Sequence, residues 1–182
     1  GFLLILLSFV GLTPAKAQFW EVSLLTADPG TELYSSFGHS AIRLREIGPD
    51  GRDLVFNFGT FDFDTPNFYG KFATGKLNYM LSVATYDRFI VEYDYYKRGL
   101  REQVLDLNQE QKDFLLQHLD AQYAPERRFY KYDFFYNNCA TKIRDAFDIA
   151  IGEQLVWSDT LAEEKTFRNL IDEFVLPLPW AD

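Results

Sequence analysis

The chain has 182 residues, with 27 acidic and 18 basic side chains, 18 Phe, 11 Tyr, 3 Trp and one cysteine. This length suits one domain, or one domain behind a leader, and the acidic balance argues against electrostatic binding to nucleic acid. A single cysteine excludes an internal disulfide and a Cys-rich zinc centre. With only His39 and His118 beside it, neither a metal nor a cofactor is expected.

The opening "GFLLILLSFVGLTPAKAQ" reads as an export leader. A 12-residue apolar run is followed by Thr13, Pro14 and an Ala15-Lys16-Ala17 cleavage pattern. The run is short for a membrane span. The expected division is a signal peptide over 1–17 and one exported domain over 18–182. The cleavage site carries no cysteine, so no lipid anchor is expected there. Without Lys16 the domain keeps 17 basic against 27 acidic side chains, a net charge of −10.

Next, "EVSLLTADPGTELYSSFGHSAIRLRE" predicts a strand, a Pro-Gly turn at 29–30 and a second, half-buried strand over about 40–46. "GPDGR" (48–52) is a turn, and "DLVFNFGTFDF" (53–63) a third strand that closes a hairpin. On that strand Leu54, Phe56 and Phe58 share one face, Val55 and Asn57 the other. Residues 65–76 read as loop with a helical turn, 77–85 as a strand. Phe89, Ile90, Tyr93 and Tyr96 then recur at helical spacing, and 100–107 alternate as a strand.

Asn108 with Gln111 three residues on predicts a capped helix that runs to about Tyr123, before Pro125. His118, on this helix, reads as a surface histidine. "APERRFYKYDFFYNN" reads as a connection. A helix from Cys139 places Ala140, Ile143, Ala146, Phe147, Ala150 and Ile151 on one apolar face and stops at Gly152. "TLAEEKTFRNLIDEFV" predicts a last helix, ended by "LPLPW". Strands first and helices later make an α+β class.

Asn138 is a favourable N-cap, which puts Cys139 in the first turn of its helix. Free N–H groups and the positive helix end lower a thiol pKa there, and the same groups can contribute to an oxyanion hole. A small buried hydrophobe is the bland alternative. A thiol nucleophile needs a base, and only His39, opening a strand after Gly38, is well placed. Asn57, on the neighbouring strand, can reach the second ring nitrogen and set the tautomer. Asp62 and Asp64 are rivals further along, in loop. They do not read as a glycosidase pair, because acids two residues apart give no opposed geometry. "GHSAI" lacks the final glycine and the helix of a nucleophile elbow.

A strand histidine, a polar partner on the next strand, then "NC" opening a helix resembles the circularly permuted, NlpC-type papain-like fold of the lecithin retinol acyltransferase-like proteins. "FGHSAIRL", "FNFGTFDF" and "PERRFYKYDFFYNNCATKIRD" resemble more closely the Lnb-type N-terminal periplasmic domain of lipoprotein N-acyltransferases, over about residues 20–175. The resemblance implies an antiparallel sheet packed with helices, a periplasmic location near the membrane, Cys139 as nucleophile and His39 as base. It also implies a phospholipid donor and a lipoprotein N-terminal amine as acceptor. Two other functions fit the same residues: a cysteine peptidase or amidase acting on envelope peptides, and a binding domain with an inert cysteine. An apolar cleft beside Cys139 would favour lipid, a polar groove peptide, and a buried sulfur far from His39 the binding domain.

Overall fold

The computed structural model describes residues 19–62, 64–158 and 164–175. The signal peptide expected over 1–17 and the "LPLPW" stop lie outside these residues. Six strands form one antiparallel sheet: β1 (Trp20–Ala27), β2 (His39–Glu46), β3 (Asp53–Thr60), β4 (Asn78–Thr85), β5 (Leu100–Val104) and β6 (Phe129–Lys131). Their spatial order is β5-β1-β2-β3-β4-β6. The helices are α1 (Phe68–Ala73), α2 (Tyr86–Tyr95), α3 (Gln109–Tyr123), α4 (Cys139–Ile151) and α5 (Phe167–Val175). A 3-10 turn occupies Leu33–Ser35. The α+β class and the hairpin of β2 and β3 follow the sequence closely.

Alternation along the strands divides the core. Val22, Ile42, Leu44, Phe56, Phe58 and Leu81 face α3 and α4, where they meet Leu115, Leu119, Ile143 and Phe147. Leu25, Ala41 and Val55 point the other way and meet Phe89 and Tyr93 of α2. The sheet is thus covered on both faces, and each large side chain that is fully buried adds about 2 kcal/mol of hydrophobic stabilisation. This corrects the half-buried reading of β2, whose Ala41, Ile42, Arg43 and Leu44 are all buried.

The charged position in that run explains the misreading. Arg43 lies on the α2 face, with Nε 2.8 Å from Asp53 Oδ1 and Nη1 2.9 Å from Glu102 Oε2. Its guanidinium carbon stacks 3.5 Å from the Tyr86 ring centroid. Both carboxylates hold the charged form, against the cost of burial, so the guanidinium stays ionised far above its ordinary range. Arg43→Met would leave Asp53 and Glu102 without their cation. We expect about 2 kcal/mol of destabilisation, read as a fall of roughly 5 °C in thermal midpoint by calorimetry.

Three further differences have local causes. β6 falls in the stretch read as a connection, since three residues are too few to display alternation. Tyr96 lies just past α2 and is 54% exposed, while Phe89 and Tyr93 carry the buried stripe. The last helix starts at Phe167, because Thr166 and Asn169 cap each other's backbone N–H groups there, with Thr166 N–H 3.2 Å from Asn169 Oδ1. Glu164, Lys165 and Thr166 are irregular. Among the described residues, no helix is long and apolar enough to cross a membrane.

Candidate active site

Gly38 sets the start of β2. Its φ is +76°, and a Cβ there would lie 2.9 Å from the Ala27 carbonyl oxygen, so only glycine fits. His39 follows at once, opposite Ala27. The β2–β3 register pairs Ile42 with Phe56, which puts Asn57 on the His39 face, diagonally across. The His39 Nε2 and Asn57 Oδ1 atoms are 2.6 Å apart. The imidazole therefore donates from Nε2 to the amide oxygen, and Nδ1 is left for another partner.

That partner arrives from the opposite end of the sequence. Asn138 caps α4: its Oδ1 accepts from Thr141 N–H at 2.9 Å, and its own N–H donates to Thr141 Oγ1 at 2.8 Å. Its amide nitrogen donates to the Phe134 carbonyl at 2.8 Å, tying the cap to the preceding loop. Asn138 is thus taken up by capping. The cap takes up the N–H groups of Asn138 and Thr141, which leaves those of Cys139 and Ala140 with no partner in the cap or the helix backbone. Because α4 packs on the Phe56 and Phe58 face, its first turn reaches the end of β3, where Cys139 and His39 line one cleft and the thiol and imidazole shift each other's titration.

Gly59 makes room for this meeting. It lies in an irregularity of the β3–β4 pairing, with φ +87°, and a Cβ there would stand 3.6 Å from Cys139 Cβ and 3.8 Å from His39 Cε1. Asp62 and Asp64 do not join the group. Both are exposed, and Asp62 Oδ1 accepts from Asp64 N–H at 2.9 Å in the turn after β3. His118 is half-buried between α3 and α4. Burial first, then the Lys142 charge, keeps its imidazole below its ordinary range.

The electrostatics favour a charged pair. Burial opposes a thiolate at Cys139, but the hydrogen bond and charge of His39 outweigh it, and the N–H groups of Ser40 and Ala140 add to them. The thiol pKa is accordingly below its ordinary value. His39 moves the other way: burial pushes it down, and the bond and charge of Cys139 with the bond to Asn57 lift it above its ordinary value. Asn57→Ala removes one hydrogen bond to the imidazolium. Alkylation of Cys139 by iodoacetamide near neutral pH should slow about tenfold, measured as loss of free thiol with time.

The thiol opens into a cleft of about 580 Å³. Phe37, Phe61, Tyr79, Tyr132, Phe134 and Phe174 line it, and Arg101 stands in the wall. Phe37 packs against Phe134 at 4.6 Å and against Phe174 of α5 at 5.4 Å between ring centres. Sequence reasoning missed Gly59 and the Ser40 N–H as parts of this site, and it offered an aromatic-lined cleft without naming the residues that line it. Only Gly59 left a signal, a glycine inside an otherwise regular strand. No group of three or more His, Cys, Asp or Glu is placed to hold a metal among the described residues.

A family model described as the Lnb N-terminal periplasmic domain matches residues 14–173. No curated protein and no solved structure matches the chain.

Proposed function

The chain belongs to the family of the Lnb N-terminal periplasmic domain, and from that premise we propose that it is a cysteine-dependent acyltransferase working through a thioester on Cys139. The observation that carries this reading is the meeting of Cys139 with the hydrogen-bonded His39–Asn57 pair beside an aromatic cleft. The order of histidine strand, asparagine strand and cysteine helix further supports a circularly permuted papain-like arrangement.

The Cys139 thiolate attacks an ester carbonyl, forming the C–S bond. The N–H groups of Cys139 and Ala140 stabilise the oxyanion. The C–O bond breaks as the His39 imidazolium gives its proton to the departing alkoxide, leaving a thioester and a neutral imidazole. An amine then attacks the thioester, His39 takes its proton, and the C–S bond breaks to return the thiolate. The aromatic walls hold the acyl chain and keep water from the thioester. A phospholipid as donor and a lipoprotein N-terminal amine as acceptor suit this chemistry at the periplasmic membrane surface.

Incubation with phospholipid vesicles, followed by intact-mass measurement, tests the first half. The expected result is an acyl adduct on Cys139 that hydroxylamine removes and a lipopeptide with a free N-terminal amine discharges. Discharge to water alone would make the protein a hydrolase. Cleavage of envelope peptides with no lipid adduct would replace the reading with that of a peptidase or amidase.

A further inference from the structure

A second chamber, of about 240 Å³, shares Gly38, His39 and Gly59 with the cleft but adds Asn57, Glu92 and Arg98 to its wall. Arg98 is held in three ways. Its backbone N–H donates to the Tyr93 carbonyl at 2.9 Å, its Nε donates to the Asp28 carbonyl at 2.9 Å, and its guanidinium carbon lies 4.9 Å from the Tyr93 ring centroid. None of these partners carries an opposing charge. Its Nη2 is buried with no hydrogen-bond partner. An uncompensated buried guanidinium donor is costly, and its retention here calls for a reason.

We propose that Arg98 is a positioning residue whose fixed positive charge, set in the wall of this chamber, adds to burial in returning His39 to its neutral form once Cys139 carries an acyl group. The inference rests on the acyl-transfer reading. In the free protein, burial and the Arg98 charge oppose the imidazolium, and the thiolate with Asn57 favours it. Thioester formation consumes the thiolate, and with it both contributions from Cys139. Burial and Arg98 then stand against Asn57 alone. The proton that His39 passes to the leaving alkoxide is not replaced, and the imidazole is free to accept the next one from the amine. The other titratable or charged groups around the chamber and cleft are Glu92, Tyr93 and Tyr96 of α2, Tyr79 of β4, Tyr34 and Tyr132, and Arg101 of β5, which is paired with Asp28. Glu92 is exposed to solvent, and burial holds Tyr93 and Tyr132 neutral, with pKa values pushed well above the ordinary phenol value.

The chain has two histidines, so a His118→Asn background leaves His39 as the sole imidazole to follow by NMR. Carbamidomethylation of Cys139 removes the thiolate as acylation does. In that form, Arg98→Met and Arg98→Gln should raise the His39 pKa by about one unit, and Arg98→Lys should leave it unchanged. Thermal melts identify which variants fold, and either neutral variant suffices. An unchanged His39 titration in a folded neutral variant would overturn the proposal and make Arg98 part of the scaffold. A shifted titration without an acyl adduct from any ester would retain the charge relation and overturn the acyl-transfer reading on which its role depends.

Discussion

Cys139→Ala is expected to abolish the hydroxylamine-sensitive adduct and to lower acyl transfer by at least ~10³-fold, with little change in thermal midpoint. The rate falls because the chain has no other thiol. The fold is spared because Asn138 and Thr141 cap the helix whatever follows the cap, and Cys139 is only half-buried. Cys139→Ser should fare little better. A serine hydroxyl has a far higher pKa, and the His39 bond that suffices for a thiolate cannot make an alkoxide. Mass measurement after exposure to vesicles distinguishes the cases. Acyl transfer that survives in Cys139→Ala at the parent rate would remove the thiol from the mechanism and leave the cleft as a lipid-binding site.

The second large effect belongs to His39. In the folded chain, burial pushes the Cys139 thiol up and is outweighed chiefly by His39. Without the imidazole, burial is opposed only by the N–H groups of Ser40 and Ala140. The thiol pKa then rises, and the pH at which alkylation reaches half its maximum moves upward. Below that point the thiolate fraction falls tenfold per pH unit, so His39→Ala should slow iodoacetamide alkylation at mildly acidic pH by about 10²-fold or more. The pH profile of alkylation is the measurement. A profile unchanged from the parent chain would show that the α4 N-terminus by itself activates the sulfur. Acyl transfer would fall further than alkylation in this variant, since both proton transfers also lose their carrier.

The local half of the site was legible because its determinants lie within a few residues of one another. Asn138, Cys139 and Thr141 specify a helix start, and its cap bonds span three residues. The alternation in "DLVFNFGTFDF" separates Asn57 from Phe56 and Phe58, and "GPDGR" closes the hairpin that brings β3 beside β2. The positions of His39 and Asn57 on one face follow from period and register. The same local patterns misjudged β2. A buried arginine paired with Asp53 and Glu102 reads, in sequence, as a solvent-facing charge.

By itself, then, the sequence determined the strands of the hairpin, the capped helix start that carries Cys139 and the shared face of His39 and Asn57, through interactions that span a turn or a strand pair. Only the tertiary structure decided that His39 and Cys139, one hundred residues apart in sequence, meet in one cleft, and that Gly59 leaves space between them. It alone placed Arg98 in a wall beside His39 and assembled an aromatic cleft from β4, the loops beside the sheet and α5. The reason is physical. Caps and turns are set by backbone hydrogen bonds within one segment, whereas the approach of α4 to the end of β3 is set by how Ile143, Ala146 and Phe147 pack on Phe56 and Phe58. That packing depends on the shapes of side chains drawn from both ends of the chain, and no local pattern encodes it.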